Sequence, residues 1–392
     1  MPVPLVPTLR FPEFRNGPRW DLLTLSSASD VNPSNDGLPE FFIYIDLESV
    51  KSSMLIGRKE ISRDAAPSRA QRLLSRKDII YQTVRPYQRN NLLFDIDDGY
   101  EYVASTGYAQ LRAHECPEFL YQLLHTDSFV NSVLARCTGS NYPSINPSAL
   151  ASIRVALPRK PEQHKIADCL GSLDDLIAAE GRKLEALWQH KLGLMQQLFP
   201  QAGETIPRLR FPEFAHGPVW DHATVADLVE TVTPPRKLTT STYLPDGRFP
   251  IIDQSQNYIC GWTNDNEAVI TRPLPVIVFG DHTCVLKFVN RTFAQGADGV
   301  KILTARRHVS TLFLYHQLKY RPVVMEGYKR HFSALKDRVV FFPDTKSGEQ
   351  QKIADCLGSL EDVLAAQARK IDTLRQQKQG LLQQLFPSLV TK

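Results

Sequence analysis

The sequence lacks the features that mark membrane, secreted and disulfide-rich proteins. No apolar run among its 392 residues approaches the ~18–20 residues that span a bilayer. The N-terminal stretch MPVPLVPTLRFPEF is interrupted by four prolines and cannot form the apolar core of a secretory signal. Six scattered cysteines form no C-x-x-C pair and no metal-ligand spacing, which favours buried thiols in a reducing compartment. We therefore expect a cytoplasmic protein without a membrane segment.

Signatures of catalysis are missing as well. There is no G-x-x-x-x-G-K-[ST] phosphate loop and no glycine-rich cofactor fingerprint. The Asn-Pro-Pro-aromatic or Asp-Pro-Pro-aromatic tetrapeptide of adenine methylases is absent, and so is a convincing nuclease centre of paired carboxylates. The most enzyme-like stretch, residues 280–283, places a carboxylate beside a histidine, but no second acidic pair lies at useful spacing. We expect a non-catalytic chain that holds neither metal nor cofactor.

A strong excess of one charge is also absent, because the formal net charge is only +4. The charge is unevenly distributed along the chain. Between Lys51 and Arg89, ten Lys/Arg stand against three acidic residues, and between Lys301 and Arg338 nine stand against two. Such runs are often solvated faces, but one run in each half of the chain favours a polyanionic partner.

The sequence does contain an internal duplication, in a chain long enough for two domains. Residues 7–21 recur as residues 207–221 with 11 of 15 positions identical, and residues 165–200 recur as residues 352–387 with 24 of 36 identical. The segments enclosed by these repeats show no comparable similarity. A duplicated frame lets one chain imitate a dimer and present two docking surfaces to two copies of one partner. Unlike contents indicate that the two enclosed domains contact different things.

The second repeat has the pattern of a coiled-coil helix. Its seam positions alternate spacings of four and three, and eight of ten are apolar in each copy. Pro161 and Glu162 suit a first turn, while Pro200 and Pro387 stop helices of ~37 residues, roughly 55 Å long. The seam positions are Ile166, Leu170, Leu173, Ile177, Glu180, Leu184, Leu187, Lys191, Leu194 and Leu198, then Ile353, Leu357, Leu360, Leu364, Gln367, Ile371, Leu374, Lys378, Leu381 and Leu385.

Two such seams in one chain predict that the helices pair with each other. We expect an α+β fold in which two mixed α/β domains are separated by two long antiparallel coiled-coil helices, with pseudo-two-fold symmetry. The four parts are residues 1–158, 159–200, 201–343 and 344–392. One register matches the leucine layers and also places Glu180 opposite Lys378 and Lys191 opposite Gln367, and we adopt it as a hypothesis.

Both enclosed domains have the composition of mixed α/β structure, with strands followed by a closing helix. The predicted strands of the first domain are residues 41–46, 78–84 and 102–106, and its helix is residues 116–135. The predicted strands of the second domain are residues 250–253, 275–281, 284–289 and 299–305, and its helix is residues 308–320.

Several segments of these domains carry side chains suited to reading DNA. Arg and Lys contact phosphates and bond guanine edges, and Asn and Gln amides pair with adenine. The candidates in the first domain are Arg69, Arg72, Arg76, Lys77, Arg85, Tyr87 and Arg89. The candidates in the second are Arg236, Lys237, Gln254, Gln256, Asn257, Asp281, His282, Thr283, Arg306, Arg307, Lys329, Arg330 and the adjacent His331.

The frame resembles the specificity subunits of type I restriction–modification systems, which alternate variable regions with conserved helices. The matching frame segments are Leu9-RFPEF, Leu209-RFPEF, Pro161-EQHKIADCLGSLDDLI, Glu349-QQKIADCLGSLEDVL and both QQLFP endings. One recognition-domain lineage of that family is similar in Ala66-PSRA, Thr83-VRPY, Ser105-TGY and Ser140-NYPSINPSAL, and another in Phe249-PIIDQSQNYICGWT and Val278-FGDHT. One departure is Ser75-RKD, where the family often has glycine before the aspartate. The resemblance adds Thr106 and Tyr108 to the candidate DNA contacts.

The resemblance implies that each variable domain reads one half of a split site in double-stranded DNA. The paired helices would act as a ruler and as the docking surface for two methyltransferase subunits. Those subunits would carry S-adenosylmethionine and flip an adenine out of the duplex. Restriction subunits would join through them and use ATP and Mg to cut unmodified DNA. This chain itself is expected to bind no cofactor.

Other functions stay open at this point. A regulatory or antirestriction protein could use the same frame without a methylase, and it would bind DNA tightly alone. A pseudo-symmetric scaffold could bind acidic proteins through the basic patches, and its binding would be insensitive to DNA sequence. A stand-alone enzyme lacks a site. The repeated FPEF and GPxW segments and the exposed helix faces favour the partner-dependent function.

Overall fold

The computed structural model describes residues 5–327 and 329–388. The chain divides into two compact units. Unit 1 combines the residues up to Gly181 with those from Lys370 onward, and unit 2 is Arg182–Arg369. Both boundaries lie inside long helices, so each unit contains one part of each helix. Strands and helices are mixed in both units, as an α+β fold requires.

The strands of unit 1 form two four-stranded sheets, a closing strand pair and a short antiparallel pair of β4 with β5. They are β1 (Asp21–Thr24), β2 (Ser29–Val31), β3 (Phe41–Ile45), β4 (Val50–Lys51), β5 (Met54–Leu55), β6 (Lys59–Ser62), β7 (Ala70–Leu73), β8 (Ile79–Gln82), β9 (Leu92–Leu93), β10 (Tyr102–Ser105), β11 (Tyr108–Ala113) and β12 (Arg154–Leu157). The sheet orders are β6-β3-β10-β7 and β2-β11-β8-β9, and β1 pairs with β12. Only the β3–β10 pair in these two sheets is parallel.

The helices of unit 1 pack on the second sheet around one tryptophan. They are α1 (Leu25–Ala28), α2 (Pro117–Leu124), α3 (Asp127–Leu134), α4 (Pro147–Ala151) and the first part of α5 (Lys160–Leu198). Trp20 is 1% exposed and meets the rings of Phe119 and Phe386 edge-on, at centroid distances of 5.9 and 6.0 Å. The core therefore joins the N-terminal repeat, a helix of the variable segment and the end of the second repeat.

The strands predicted in the first domain are confirmed, but the single helix at residues 116–135 is wrong. The structure has two helices, α2 and α3, separated by His125 and Thr126. Thr126 is the N-cap of α3, because its hydroxyl accepts the amide hydrogen of Phe129 at 3.3 Å. Apolar residues at helical spacing continue across this break, so periodicity alone could not reveal it.

Unit 2 contains strands β13 (Asp221–Thr224), β14 (Val229–Val232), β15 (Lys237–Leu238), β16 (Phe249–Ile252), β17 (Gly261–Thr263), β18 (Val269–Ile270), β19 (Val276–Gly280), β20 (Leu286–Val289), β21 (Phe293–Gly296), β22 (Val300–Ala305) and β23 (Val339–Phe342). Its helices are α6 (Val225–Leu228), α7 (Thr311–Tyr320), α8 (Phe332–Lys336) and parts of α5 and α9 (Glu349–Leu385). All four predicted strands and the predicted helix of this domain are confirmed. β21, which lies in the middle of a sheet, was not predicted.

Unit 2 repeats the strand order of unit 1, although the two variable segments are unlike in sequence. β13 pairs with β23 as β1 pairs with β12, and β14-β22-β19-β20 follows the order of β2-β11-β8-β9. In the remaining sheet, the central pair β16–β21 is parallel like β3–β10, and each of these strands has an antiparallel neighbour. One fold therefore accommodates two unrelated sets of side chains.

The N-terminal repeats form the same internal contacts in both units. Arg10 Nε donates to Glu162 Oε1 at 2.7 Å in unit 1, and Arg210 Nε donates to Glu349 Oε1 at 2.8 Å in unit 2. Each arginine also donates to the glycine and proline carbonyls of its own GPxW segment. We call each arginine–glutamate pair with its GPxW segment a clasp. The repeated segments thus anchor the start of a long helix within their own unit, a role not expected from the sequence.

The long helices end where the prolines predicted. Helix α5 stops at Leu198 before Pro200, and α9 stops at Leu385 before Pro387. All twenty seam positions are buried or half-buried, whereas the apolar residues Trp188 and Leu192 beside the seam are exposed.

The hypothesised register of the seam is wrong. In unit 1, Lys378 Nζ lies 2.6 Å from Asp174 Oδ1, and Asp174 precedes the expected partner Glu180 by six positions, more than one helical turn. In unit 2, Lys191 pairs with Glu361, again six positions before the expected Gln367. Leucine layers recur every three to four residues and match at several shifts. Carboxylates just beside the seam therefore decide which shift satisfies the lysines.

Candidate nucleic-acid interface

Four sequence motifs of unit 1 meet at one edge, where β8 and β10 end. The amide of Thr83 donates to Gly107 O at 3.0 Å, and the amide of Thr106 donates to Arg69 O at 2.8 Å. The amide of Arg85 donates to Pro143 O at 2.8 Å. We call this surface edge 1, formed by residues 67–69, 83–87, 106–107 and 140–144. Segments far apart in sequence are joined here by backbone hydrogen bonds, so the edge is defined by the fold rather than by mobile side chains.

Unit 2 builds the corresponding edge with different residues. The amide of Asp281 donates to Gly299 O at 2.6 Å, as Thr83 donates to Gly107 O in unit 1. The amide of His331 donates to Asp281 O at 2.8 Å, as that of Ile145 donates to Thr83 O at 3.1 Å. We call this surface edge 2, formed by residues 254–257, 280–283, 297–299 and 329–331.

On edge 1, Arg69, Tyr87 and Tyr142 are exposed, with Tyr142 at 64%. The Arg85 guanidinium lies 4.3 Å from the centre of the Tyr142 ring. Thr106 is half-buried in the turn between β10 and β11. Tyr108 is 1% exposed and packs in the core, so we no longer count it as a DNA contact.

Other cations predicted for the first domain are held by carboxylates. Arg76 binds Asp95 at 2.8 Å, and Lys77 binds Asp95 at 2.7 Å and Glu118 at 2.9 Å. Hydrogen bonds from these two cations, Lys77 first, lower the pKa of the Asp95 carboxyl. Because their charges are already matched, both cations are poorer candidates for phosphate contacts than unpaired ones.

Arg89 has an internal role, and Arg72 is half-buried. Arg89 pairs with Asp127 and donates to His125 O at 3.0 Å, which ties the loop after β8 to the start of α3. The half-buried Arg72 has its Nε without a hydrogen-bond partner in the described part of the chain, and burial lowers the pKa of its guanidinium.

On edge 2, some predicted readers form the loop instead of facing outward. Gln254 donates from Nε2 to Asp298 O at 3.1 Å and accepts at Oε1 from the amide of His282 at 3.3 Å. Asp281, 3% exposed, accepts the amide hydrogens of His331 and Phe332. The carboxylate beside His282 is therefore a loop-forming group, which removes the one enzyme-like feature of the sequence.

The remaining predicted residues of unit 2 divide into paired and unpaired groups. Gln256, Asn257, Arg307 and Arg330 are exposed, and these two arginines have no ion pair among the described residues. Thr283 is half-buried, with its hydroxyl donating to Gln254 O at 2.7 Å. Four other predicted cations of this unit form ion pairs, which are Arg236–Asp265, Lys237–Asp298, Arg306–Glu230 and Lys329–Glu326.

Two residues of these edges were missed by sequence reasoning. Tyr142 sat in a motif quoted only for its resemblance, although an aromatic residue in a turn-forming segment is itself a signal. Lys287 is 4% exposed, and its Nζ donates to Asp253 O at 2.8 Å and to Asn257 O. It supports the loop of edge 2 from inside, and burial lowers its pKa. A lone lysine within an apolar strand pattern could have indicated such a buried support.

No cluster of three or more His, Cys, Asp or Glu suited to a metal ion occurs in the part of the chain that is described. Among the same residues, no helix combines the length and the apolar character needed to cross a membrane.

Comparison with known proteins identifies similar chains. A family model described as the type I restriction modification DNA specificity domain matches residues 42–189. The HindI specificity subunit of Haemophilus influenzae is 25% identical over 186 residues, which is 46% of this chain and 37% of that protein. The MjaVIII specificity subunit of Methanocaldococcus jannaschii is 32% identical over 79 residues, 20% of this chain and 18% of that protein. The chain thus spans about a third of the length of the HindI subunit and about a fifth of the length of the MjaVIII subunit.

Two solved structures share the fold along almost the whole chain. The S subunit of a type I restriction–modification system from M. genitalium has a TM-score of 0.63 at 15% identity, covering 98% of this chain and 100% of that one. A chain from a type I R-M system, described for its complex assembly and conformational transition, has a TM-score of 0.53 at 20% identity. The matched region covers 94% of this chain and 98% of that chain.

Proposed function

We propose that the chain is a specificity subunit of a type I restriction–modification system, the non-catalytic subunit that recognises DNA sequence. The observation that carries the proposal is the correspondence of edges 1 and 2. The two variable segments, which lack sequence similarity, bring exposed polar side chains to corresponding strand ends within their own units. These side chains are Arg and Tyr on edge 1, and Arg, Lys and amides on edge 2. Two domains that recognise different DNA sequences need different side chains at the contacting edge, and a common fold can present them in the same way.

Each edge would contact one half of a split site in double-stranded DNA. Exposed cations such as Arg69 and Arg330 would bind phosphates, and residues deeper in the edges would contact base pairs. The two edges carry different side chains, so the two half-sites would differ in sequence. A bipartite, asymmetric recognition site follows.

The long helices would set the separation of the half-sites. Helices α5 and α9 contain 39 and 37 residues, so each is roughly 55–60 Å long. We propose that they pair as an antiparallel coiled coil with pseudo-two-fold symmetry. Two half-sites on one face of B-DNA lie one helical turn, ~34 Å, or a multiple of it apart from centre to centre. A helix pair of this length is compatible with a separation of that size.

The duplicated frame would also bind partner proteins. Two copies of a methyltransferase subunit would dock on the repeated surfaces, and restriction subunits would join through them. S-adenosylmethionine, ATP and Mg would be bound by those partners. The exposed Trp188 and Leu192 on α5 are side chains that a partner could cover.

The proposal is tested by co-expressing this chain with the methyltransferase subunit encoded beside it and mapping N6-methyladenine in the host genome by single-molecule sequencing. A split, asymmetric motif with a fixed spacer is the expected result. A stable complex that adds no methylation would favour a regulatory protein or a scaffold. Tight, sequence-specific DNA binding by the chain alone would distinguish the regulatory protein from the scaffold.

The ruler is tested separately by inserting one heptad into both long helices. The spacer should lengthen while both half-sites stay the same. As a control, seven residues inserted into the loop at residues 201–206 should leave the spacer unchanged. Altered half-sites in the heptad variant would contradict the ruler.

A further inference from the structure

Arg85 has a conformation that the rest of edge 1 does not share. Its backbone lies in the left-handed region, with φ 53° and ψ 54°, and it precedes a proline. A residue other than glycine rarely adopts this region, and a following proline disfavours helical ψ values further. Strain of this kind persists only where the surroundings impose it, and it concentrates at functional sites.

The guanidinium of Arg85 is positioned but not neutralised. It stacks on Tyr142 at 4.3 Å from the ring centre, and its buried Nε has no hydrogen-bond partner in the described residues. No carboxylate among those residues pairs with it. Arg89, four residues later and also left-handed, is instead bound to Asp127. Within one short segment, one arginine is used internally and the other keeps its donors available.

The loop that carries Tyr142 is pinned at both ends. Thr138 and Ser144 exchange two backbone hydrogen bonds of 2.9 Å, and Ser144 also bridges to Val84 beside Arg85. Gly139 has φ +88°, and a Cβ there would lie 3.1 Å from Tyr142 O, so the turn requires glycine. Both members of the stack are therefore held on fixed backbone, and little side-chain freedom remains to be lost on binding.

The guanidinium of arginine presents its N–H donors in one plane at a fixed spacing. It therefore binds best to two acceptors that lie side by side in one plane. In the major groove, guanine presents O6 and N7 side by side, and bidentate arginine is the most common specific contact to them. A phosphate contact tolerates a mobile side chain, which the exposed Arg69 supplies on the same edge. We propose that Arg85, held by Tyr142, contacts a guanine base in the half-site bound by unit 1. This inference rests on the proposed function.

The test selects binding sites from a random double-stranded DNA library with the complete complex of this chain and its methyltransferase subunit. The wild-type complex should select a bipartite motif with a G·C pair in one half-site. Arg85→Lys keeps the positive charge but removes the planar pair of N–H donors. It should therefore lower the preference for guanine at that single position by roughly ten- to hundred-fold, leaving the other half-site unchanged. Tyr142→Phe should retain the preference, and Tyr142→Ala should weaken it.

Two controls separate a base contact from other effects. Arg69→Lys on the same edge should leave the motif unchanged. Replacing the guanine by 7-deazaguanine removes only its N7 acceptor, and it should weaken binding of the wild-type complex but not of the Arg85→Lys complex. The wild-type half of this comparison does not depend on the variant's folding.

Three results would overturn the inference in different ways. If Arg85→Lys selects the wild-type motif, Arg85 does not read a base. If it weakens binding to all sequences equally, Arg85 contacts a phosphate. If the wild-type complex selects no motif at all, the proposed function itself fails, and this inference fails with it.

Discussion

Arg10 binds Glu162 through two hydrogen bonds, Nε to Oε1 at 2.7 Å and Nη2 to Oε2 at 2.6 Å, with both side chains more than nine-tenths buried. The pair joins the N-terminal repeat to the first turns of α5. A buried ion pair contributes little to stability relative to an apolar pair of the same shape, but removing one partner leaves the other charge buried and unmatched.

We therefore predict that Arg10→Ala destabilises unit 1 by roughly 3–5 kcal/mol. Urea unfolding followed by intrinsic tryptophan fluorescence and circular dichroism measures the loss. Arg210→Ala should produce the same loss in unit 2, because Arg210 and Glu349 repeat the contact. A loss below ~1 kcal/mol in both variants would show that the clasps are not needed for folding.

A second prediction concerns the seam register. Lys378 and Asp174 are in contact and partly exposed, so a double-mutant cycle with Lys378→Met and Asp174→Asn should give a coupling energy of about 1 kcal/mol. The same cycle between Lys378 and Glu180 should stay within ~0.5 kcal/mol. Equal coupling in both cycles would contradict the register seen here.

A third prediction concerns acid stability. His316 is fully buried, both ring nitrogens lack hydrogen bonds in the described part of the chain, and Glu361 Oε1 lies 3.9 Å from Nδ1. Burial, with the nearby Lys191 and Lys319, lowers its pKa to about 4. The unfolded chain, with a histidine pKa of ~6.5, then binds a proton that the folded chain does not, so stability is lost as pH falls from ~6.5 to ~4.

The loss assigned to His316 should be on the order of 3 kcal/mol at pH 4, measured by urea unfolding at several pH values. His316→Gln should remove that part of the pH dependence. Unit 1 supplies the template, because Gln122 occupies the matching helix position and donates to Asp174 at 2.8 Å. An unchanged pH profile in His316→Gln would assign the acid sensitivity to other groups, such as His125.

A fourth prediction concerns salt dependence. The double variant Arg307→Ala and Arg330→Ala removes two exposed cations of unit 2 that have no ion pair among the described residues, so it should weaken DNA binding about equally for all sequences. The slope of log K against log salt should fall in magnitude by about 2. Arg375→Ala, on an exposed face of α9, is the matched control and should change neither quantity. A lost half-site preference in the double variant would instead indicate base contacts.

Sequence reasoning predicted the features that depend on local pattern. The seam, the proline stops and seven of the strands follow from spacing, so they could be predicted directly from residues such as Pro200 and Leu385. The shared strand order of the two units could not be predicted. It depends on pairings between distant strands, and many different apolar residues satisfy them.

The basic patches show why charge counts identified the site only partly. The first patch was counted from Lys51 to Arg89, but the carboxylates that neutralise Arg76 and Lys77 come later, at Asp95 and beyond. Ion pairs form between residues close in space, whatever their distance in sequence. Among the candidate DNA contacts of this patch, Arg69 and Arg85 have no ion pair in the described residues, and only the fold distinguishes them from Arg76 and Lys77.

The construction of the clasps also bears on how new specificities can arise. Nearly every group in them comes from the repeated frame, and each variable segment supplies one aromatic ring against the clasp tryptophan, Phe119 in unit 1 and Phe313 in unit 2. A recognition segment transferred by recombination into either position therefore needs to bring a compatible fold and one such phenylalanine. If the proposed function holds, two equivalent clasps would let a small pool of segments generate many paired specificities by reassortment.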